Sequence, residues 1–133
     1  MSQGDGRTDP LVGIGTDVVD VDRFREVIAR TPSLVTRVFT EGERSVAEAR
    51  RDPAPTLAAR FAAKEAAMKV LGVGLGEIGW QDVEVVRHPS GRPELVVTGR
   101  AAALAAERGV ATVHLSITHT AERAVAFVVA ESA

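Results

Sequence analysis

The chain has 133 residues, 45% of them hydrophobic and 26% charged, with a net charge of −2. That composition describes one globular domain with a real core, and the lack of a basic excess removes general nucleic-acid binding. The absence of cysteine excludes disulfides, thiolate metal sites and cysteine nucleophiles, so a metal would need oxygen or histidine ligands.

Residues 1–10 are polar and glycine-rich and are expected to form a disordered tail, leaving 11–133 as a single domain. Leu11 to Val19 is apolar and β-branched and predicts a buried strand. Asp20 or Asp22 caps a helix to about Arg30, with Phe24, Val27 and Ile28 inward, and Thr31-Pro32 breaks it. A short amphipathic piece from Ser33 to Phe39 precedes Thr40-Glu41-Gly42-Glu43, whose capping-box spacing opens a helix to about Arg50. Thr56 starts a long helix that Gly72 ends, and Gly72 to Gly76 forms a flexible connector. Val83 to Arg87 and Glu94 to Thr98 predict two strands joined by a Pro- and Gly-rich turn. Ala101 to Arg108 predicts a helix stopped by Gly109, and strands Ala111 to Ile117 and Arg123 to Ala130 close the chain. Strand, helices, strands, helix, strands is the order of a small α+β domain. No apolar run approaches the ~18 residues of a membrane span and no signal-peptide pattern precedes the domain, so a cytoplasmic location is expected.

The long helix carries the chemistry. At about 100° per residue, Leu57, Phe61, Met68 and Leu71 form one apolar stripe. Lys64 projects into its middle, Glu65 borders it, and Lys69 lies one turn further on the Glu65 side. Burying a charge costs several kcal/mol unless it is paired or bound, so this helix demands a partner. The plainer alternative is a Glu65–Lys69 i, i+4 pair worth roughly 0.2–0.5 kcal/mol, with Lys64 snorkelling to water.

Asp17, near the end of the first strand, shares its face with Gly13 and Gly15. Two missing side chains beside a carboxylate leave room for a close approach; the structural alternative is a turn-capping aspartate with the glycines marking a bulge. Asp17 and Glu65 together offer the oxygen donors that Mg²⁺ prefers, and nearby lysines would offset phosphate charge. The Gly72, Gly74, Gly76 pattern follows a helix instead of joining a strand to one, so it is not a dinucleotide fingerprint. His119 falls on the apolar side of a strand end, where a lone histidine is more often structural.

Gly13-Ile14-Gly15-Thr16-Asp17, Arg60-Phe61-Ala62-Ala63-Lys64-Glu65-Ala66 completed by Lys69, Gly91-Arg92-Pro93, and Ser116-Ile117-Thr118-His119 form four ordered blocks. In that order they resemble the holo-[acyl-carrier-protein] synthase family, the short branch of the 4′-phosphopantetheinyl transferases. The resemblance spans nearly the whole chain after residue 10. It implies a small antiparallel sheet packed with a long central helix, and transfer of phosphopantetheine from coenzyme A to a serine of apo acyl carrier protein. It further implies Mg²⁺ on Asp17 and Glu65, with Glu65 and Lys69 catalytic. Arg60, Lys64, Lys69, Arg92, Pro93 and His119 match coenzyme-contacting positions. Arg23 matches a position that meets the acidic carrier protein, and the implied assembly is a homotrimer with sites between subunits. Thr120 follows His119 where some relatives carry an acid, so no acidic base is expected there. A Mg²⁺-dependent nucleotide pyrophosphatase and a non-catalytic nucleotide-binding domain are the rival classes.

Overall fold

The first element fixes the rest of the molecule. In the computed structural model, which describes residues 10–73 and 76–133, strand β1 (Leu11–Asp20) hands over directly to helix α1 (Val21–Arg30). Asp20 caps that helix by accepting from the Arg23 N–H. Helix α2 (Ser33–Val38) and helix α3 (Glu41–Glu48) follow, the latter opened by the expected capping box between Thr40 and Glu43. Helix α4 (Ala54–Leu71) is the long helix, closed by Gly72 at φ +68° in the left-handed conformation glycine adopts freely. A 3₁₀ turn (Trp80–Asp82) leads into strands β2 (Val83–Arg87) and β3 (Pro93–Val97). Helix α5 (Gly99–Glu107) and strands β4 (Thr112–His119) and β5 (Arg123–Glu131) complete the chain. The expected tail falls on residues 1–9 and the centre of the glycine connector on Gly74 and Leu75, all outside the described residues.

Among the described residues two antiparallel sheets form, with orders β1-β5-β4 and β2-β3. The larger sheet puts one face on α4. Across it, Asp17 stands opposite Ala126, which stands opposite Ile117; the next row joins Val19, Ala124 and His119. Most of β5's contribution to this face is alanine, and α4 answers with Ala59, Ala62, Ala63, Ala66 and Ala67, all buried. Small residues on both partners bring helix and sheet close. At Gly15 no side chain fits at all: a Cβ there would lie 2.1 Å from the Ala66 carbonyl oxygen. What approaches the glycine face of Asp17's strand is therefore α4 itself, not a ligand. A register shift between Leu11 and Gly13 is the bulge at its far end.

Helix α4 starts at Ala54, two residues before the expected Thr56, because Pro53 and Pro55 suit a first turn that lacks hydrogen-bond acceptors for its N–H groups. It is also buried around most of its circumference, not along one stripe. One core cluster joins its C-terminal part to the large sheet, β2, β3 and α5; another joins its N-terminal part to α1, α2 and α3. The helix thus runs through the centre of the molecule and presents side chains to several sides.

Candidate functional site

Two clefts of opposite character flank α4. The first, about 440 Å³, is lined by Asp17, Val18, Val19, Asp20, Arg23, Phe24, Val27, Leu34, Phe61 and Glu65. Strand β1 brings Asp17 and α4 brings Glu65 to it. Desolvation, then the charge of Asp17, push the Glu65 carboxyl above the usual carboxylate range, and Lys69 opposes them. Lys69 does not make the i, i+4 partnership with Glu65 that spacing allows. Its ammonium reaches across to the strand, 3.1 Å from Asp17 Oδ1 and 2.8 Å from the Thr16 carbonyl. Two carboxylates on facing elements, one kept reluctant to ionise, form an oxygen donor set short of positive charge. Among the described residues no group of three or more metal-ligating side chains occurs. The pair fits a hard divalent cation that keeps several water or substrate oxygens, as Mg²⁺ does. Around the carboxylates the wall is apolar: Phe61 packs on Phe24 at 5.3 Å and stacks on Trp80 at 5.2 Å between centroids.

The second cleft, about 210 Å³, lies on the other side of α4 and is lined by Val46, Arg50, Thr56, Ala59, Arg60, Val86, Arg87, Gly91, Pro93, Ile117 and His119. Arg60 is 7% exposed, and its Nε is buried without a hydrogen-bond partner. Burial lowers its pKa, Glu43 opposes that, and Arg87 and Arg50 lower it further. Three guanidinium groups gathered in one concavity repel one another, so the cleft is prepared for an anion.

Between the clefts Lys64 points inward, and here the sequence expectation is corrected. Lys64 is 0% exposed and cannot meet coenzyme phosphates. All three of its ammonium protons are used: it pairs with Glu43 Oε1 at 2.8 Å and donates to the Trp80 and Val83 carbonyls. Neither does it snorkel. Desolvation lowers its pKa and the Glu43 charge opposes that shift.

The remaining predicted residues divide between the clefts. Asp17, Glu65 and Arg23 line the acidic one, with Lys69 bonded to Asp17 at its edge. Arg60, Pro93 and His119 line the cationic one, while Arg92 lies exposed in the turn between Gly91 and Pro93. The Arg23 guanidinium has no carboxylate partner among the described residues, whereas neighbouring Arg25 is held by Asp22 and Asp52. Sequence reasoning missed Arg50, Arg87 and Glu43. The first two look like ordinary charges at element ends, and only the packing of three elements gathers them. For Glu43 the capping-box spacing accounts for one hydrogen bond and gives no sign of the rest.

The residues from 13 to 128 match the family model of the 4′-phosphopantetheinyl transferase superfamily. The chain is 53% identical to a holo-[acyl-carrier-protein] synthase of Frankia casuarinae, over 92% of this chain and 98% of that one. It is 56% identical to that of Clavibacter michiganensis, over 90% and 94%. Among solved structures, a holo-(acyl-carrier-protein) synthase from Bacillus anthracis, in complex with CoA (3′,5′-ADP), superposes with a TM-score of 0.76. It is 36% identical, and the match covers 92% of this chain and 98% of that one. The fold is that of a phosphopantetheinyl transferase. Within that superfamily, the chain belongs to the holo-[acyl-carrier-protein] synthase family.

Proposed function

We propose that the chain transfers the 4′-phosphopantetheine group of coenzyme A to a serine hydroxyl of apo acyl carrier protein and releases adenosine 3′,5′-bisphosphate. The observation that carries this reading is a carboxylate pair and an arginine cluster on opposite sides of one helix. The serine oxygen attacks the phosphorus that bears pantetheine, and the bond from that phosphorus to the bridging oxygen breaks. The serine proton leaves, and the departing bisphosphate keeps the bond electrons. Such a transfer needs positioning and charge neutralisation more than covalent help. Asp17 and Glu65 would hold Mg²⁺, which when bound supplies charge neutralisation at the pyrophosphate. Glu65, held above the usual carboxylate range, is the acceptor we assign to the serine proton. Lys69, steadied by Asp17 and Thr16, offsets charge on the departing phosphate. Arg60, Arg50 and Arg87 take the anionic end of the coenzyme beside His119 and Pro93, and Arg92, between the lining residues Gly91 and Pro93, is assigned to the same end.

Arg23 leaves an unpaired cation beside the acidic cleft, which suits an acidic carrier protein. We assign a homotrimer with sites between subunits. Its support is the outer face of the large sheet, where Ile14, Val18 and Phe127 are 62%, 59% and 51% exposed. Apolar side chains clustered on one open sheet face favour association. Among the described residues no helix is long and apolar enough to cross a membrane, and we place the reaction in the cytoplasm. The test is to incubate the protein with coenzyme A, Mg²⁺ and an apo carrier protein, then weigh the carrier. A gain of one phosphopantetheine mass is expected. Cleavage of coenzyme A with an unchanged carrier would make the protein a pyrophosphatase, and sedimentation at a monomer's mass would remove the trimer.

A further inference from the structure

One buried polar group is outside both clefts and outside the chemistry above, yet it touches the three elements that lead to the cationic cleft's arginines. Glu43 is 0% exposed. Its Oε1 accepts from the Thr40 N–H at 3.0 Å and from Lys64 at 2.8 Å; its Oε2 accepts from the Val85 N–H at 2.9 Å. Lys64 in turn donates to the Val83 and Trp80 carbonyls. The pair therefore clamps α3, α4 and β2 at a single point. From that point each element runs outward to one arginine: α3 to Arg50, just past its end, α4 to Arg60, one turn before Lys64, and β2 to Arg87 at its last residue. Arg50, Arg60 and Arg87 repel one another and would spread if their elements were free. Glu43 is the carboxylate whose charge favours the Arg60 guanidinium against that repulsion.

From this we infer that Glu43 and Lys64 are positioning residues for the coenzyme cleft: their buried ion pair holds the three arginines converged before the anion arrives. Neither touches the substrate. Preorganisation of this kind acts on coenzyme affinity, because the anion then spends no binding energy assembling its own site. It leaves docking of the carrier protein nearly alone, since α1 and Arg23 are not tied to the clamp. The inference rests on the coenzyme reading of this cleft, and measuring coenzyme binding by the wild type first keeps the two apart. If the wild type does not bind coenzyme A, that reading fails whatever the clamp does.

Two substitutions and one measurement on the unaltered protein test it. Glu43→Gln should raise the Michaelis constant for coenzyme A about tenfold, and that for the carrier protein less than twofold. The neutral pair Glu43→Gln with Lys64→Met should regain most of the thermal stability that Glu43→Gln loses, since no charge is left unpaired in the core. It should not regain coenzyme affinity, because the Val83 and Trp80 carbonyls lose their donor and Arg60 loses its counter-charge. Recovery of affinity together with stability would reduce the pair to core packing and overturn the inference. In the wild type, a clamp that favours the coenzyme-binding arrangement must be tightened by coenzyme in return. Adding coenzyme A should therefore slow hydrogen exchange at the Val85 and Thr40 amides, both bonded to Glu43. Unchanged exchange there, with saturating coenzyme bound, would also overturn it and does not depend on any variant folding.

Discussion

The acidic and cationic clefts are built on the same helix, but they manage unfavourable charge in opposite ways. In the acidic cleft, the exposed lysine is bonded to one of two carboxylates, and the repulsion between them is only partly offset. In the cationic cleft, three arginines face a concavity, and a carboxylate buried behind them supplies part of the compensation. The difference shows why Lys64 and Lys69, five residues apart on one helix, have unrelated roles. Lys69 is exposed and reaches the Asp17 carboxylate; Lys64 is sealed in the core and spends every proton on structure.

That contrast breaks first at Lys64. Lys64→Ala removes the cation, leaves Glu43 buried without its counter-charge and opens a cavity. We expect a loss of about 3–5 kcal/mol in chemical denaturation, the range seen when one member of a buried pair is deleted. A loss below ~1 kcal/mol would mean that the pair is far more hydrated than its burial indicates. Asp17→Ala and Glu65→Ala come next and behave inversely: activity should fall on the order of 10²-fold or more, while the melting temperature hardly moves. Near wild-type turnover with a persistent Mg²⁺ requirement would remove both residues from the metal site.

Much of this arrangement was legible from residue order, and the failures have physical causes. Asp20 and Thr40 mark helix starts because a short side chain satisfies a free N–H within three residues, which is local chemistry. Gly72 ends α4 for a local reason too. The pairing of β1 with β5, strands more than a hundred residues apart, is not local, and nothing in alternation specifies it. The pattern of α4 predicts an inward Lys64, as the structure has it, but its partner sits 21 positions earlier. A buried lysine announces only that some acceptor exists. The sequence shows that Gly15 lacks a side chain, and only packing reveals that a backbone carbonyl of α4 fills the space.

Smaller effects sharpen the comparison at the cleft edges. Lys69→Ala breaks an exposed ion pair, worth about 0–1 kcal/mol in stability. Activity should nevertheless fall about tenfold if the ammonium offsets phosphate charge. A variant that only melts slightly earlier would return Lys69 to decoration. Arg23→Glu should raise the Michaelis constant for carrier protein several-fold without changing that for coenzyme A. Added salt should weaken the wild-type reaction through the same attraction. Equal changes for both substrates would move Arg23 from docking to the coenzyme site.

The smallest effect is the most specific to the acidic cleft. Glu65 has its pKa raised in the folded protein by desolvation and by Asp17. The folded state therefore holds the Glu65 proton to a higher pH than the unfolded chain does. The favourable contribution from the protonated form is fully present below the unfolded pKa and disappears as pH rises through the folded one. At neutral pH the ionised Glu65 is thus a mild burden on stability. Glu65→Gln should consequently melt slightly higher than the wild type at pH 7 without Mg²⁺, although it is inactive, and the gap should close as pH falls through the acid range. Adding Mg²⁺ should raise the wild-type melting temperature and leave Glu65→Gln unchanged, because the ion relieves the same repulsion that the substitution removes. If Glu65→Gln melts lower than the wild type at every pH, Glu65 supports the fold, and the cleft is not strained for a cation.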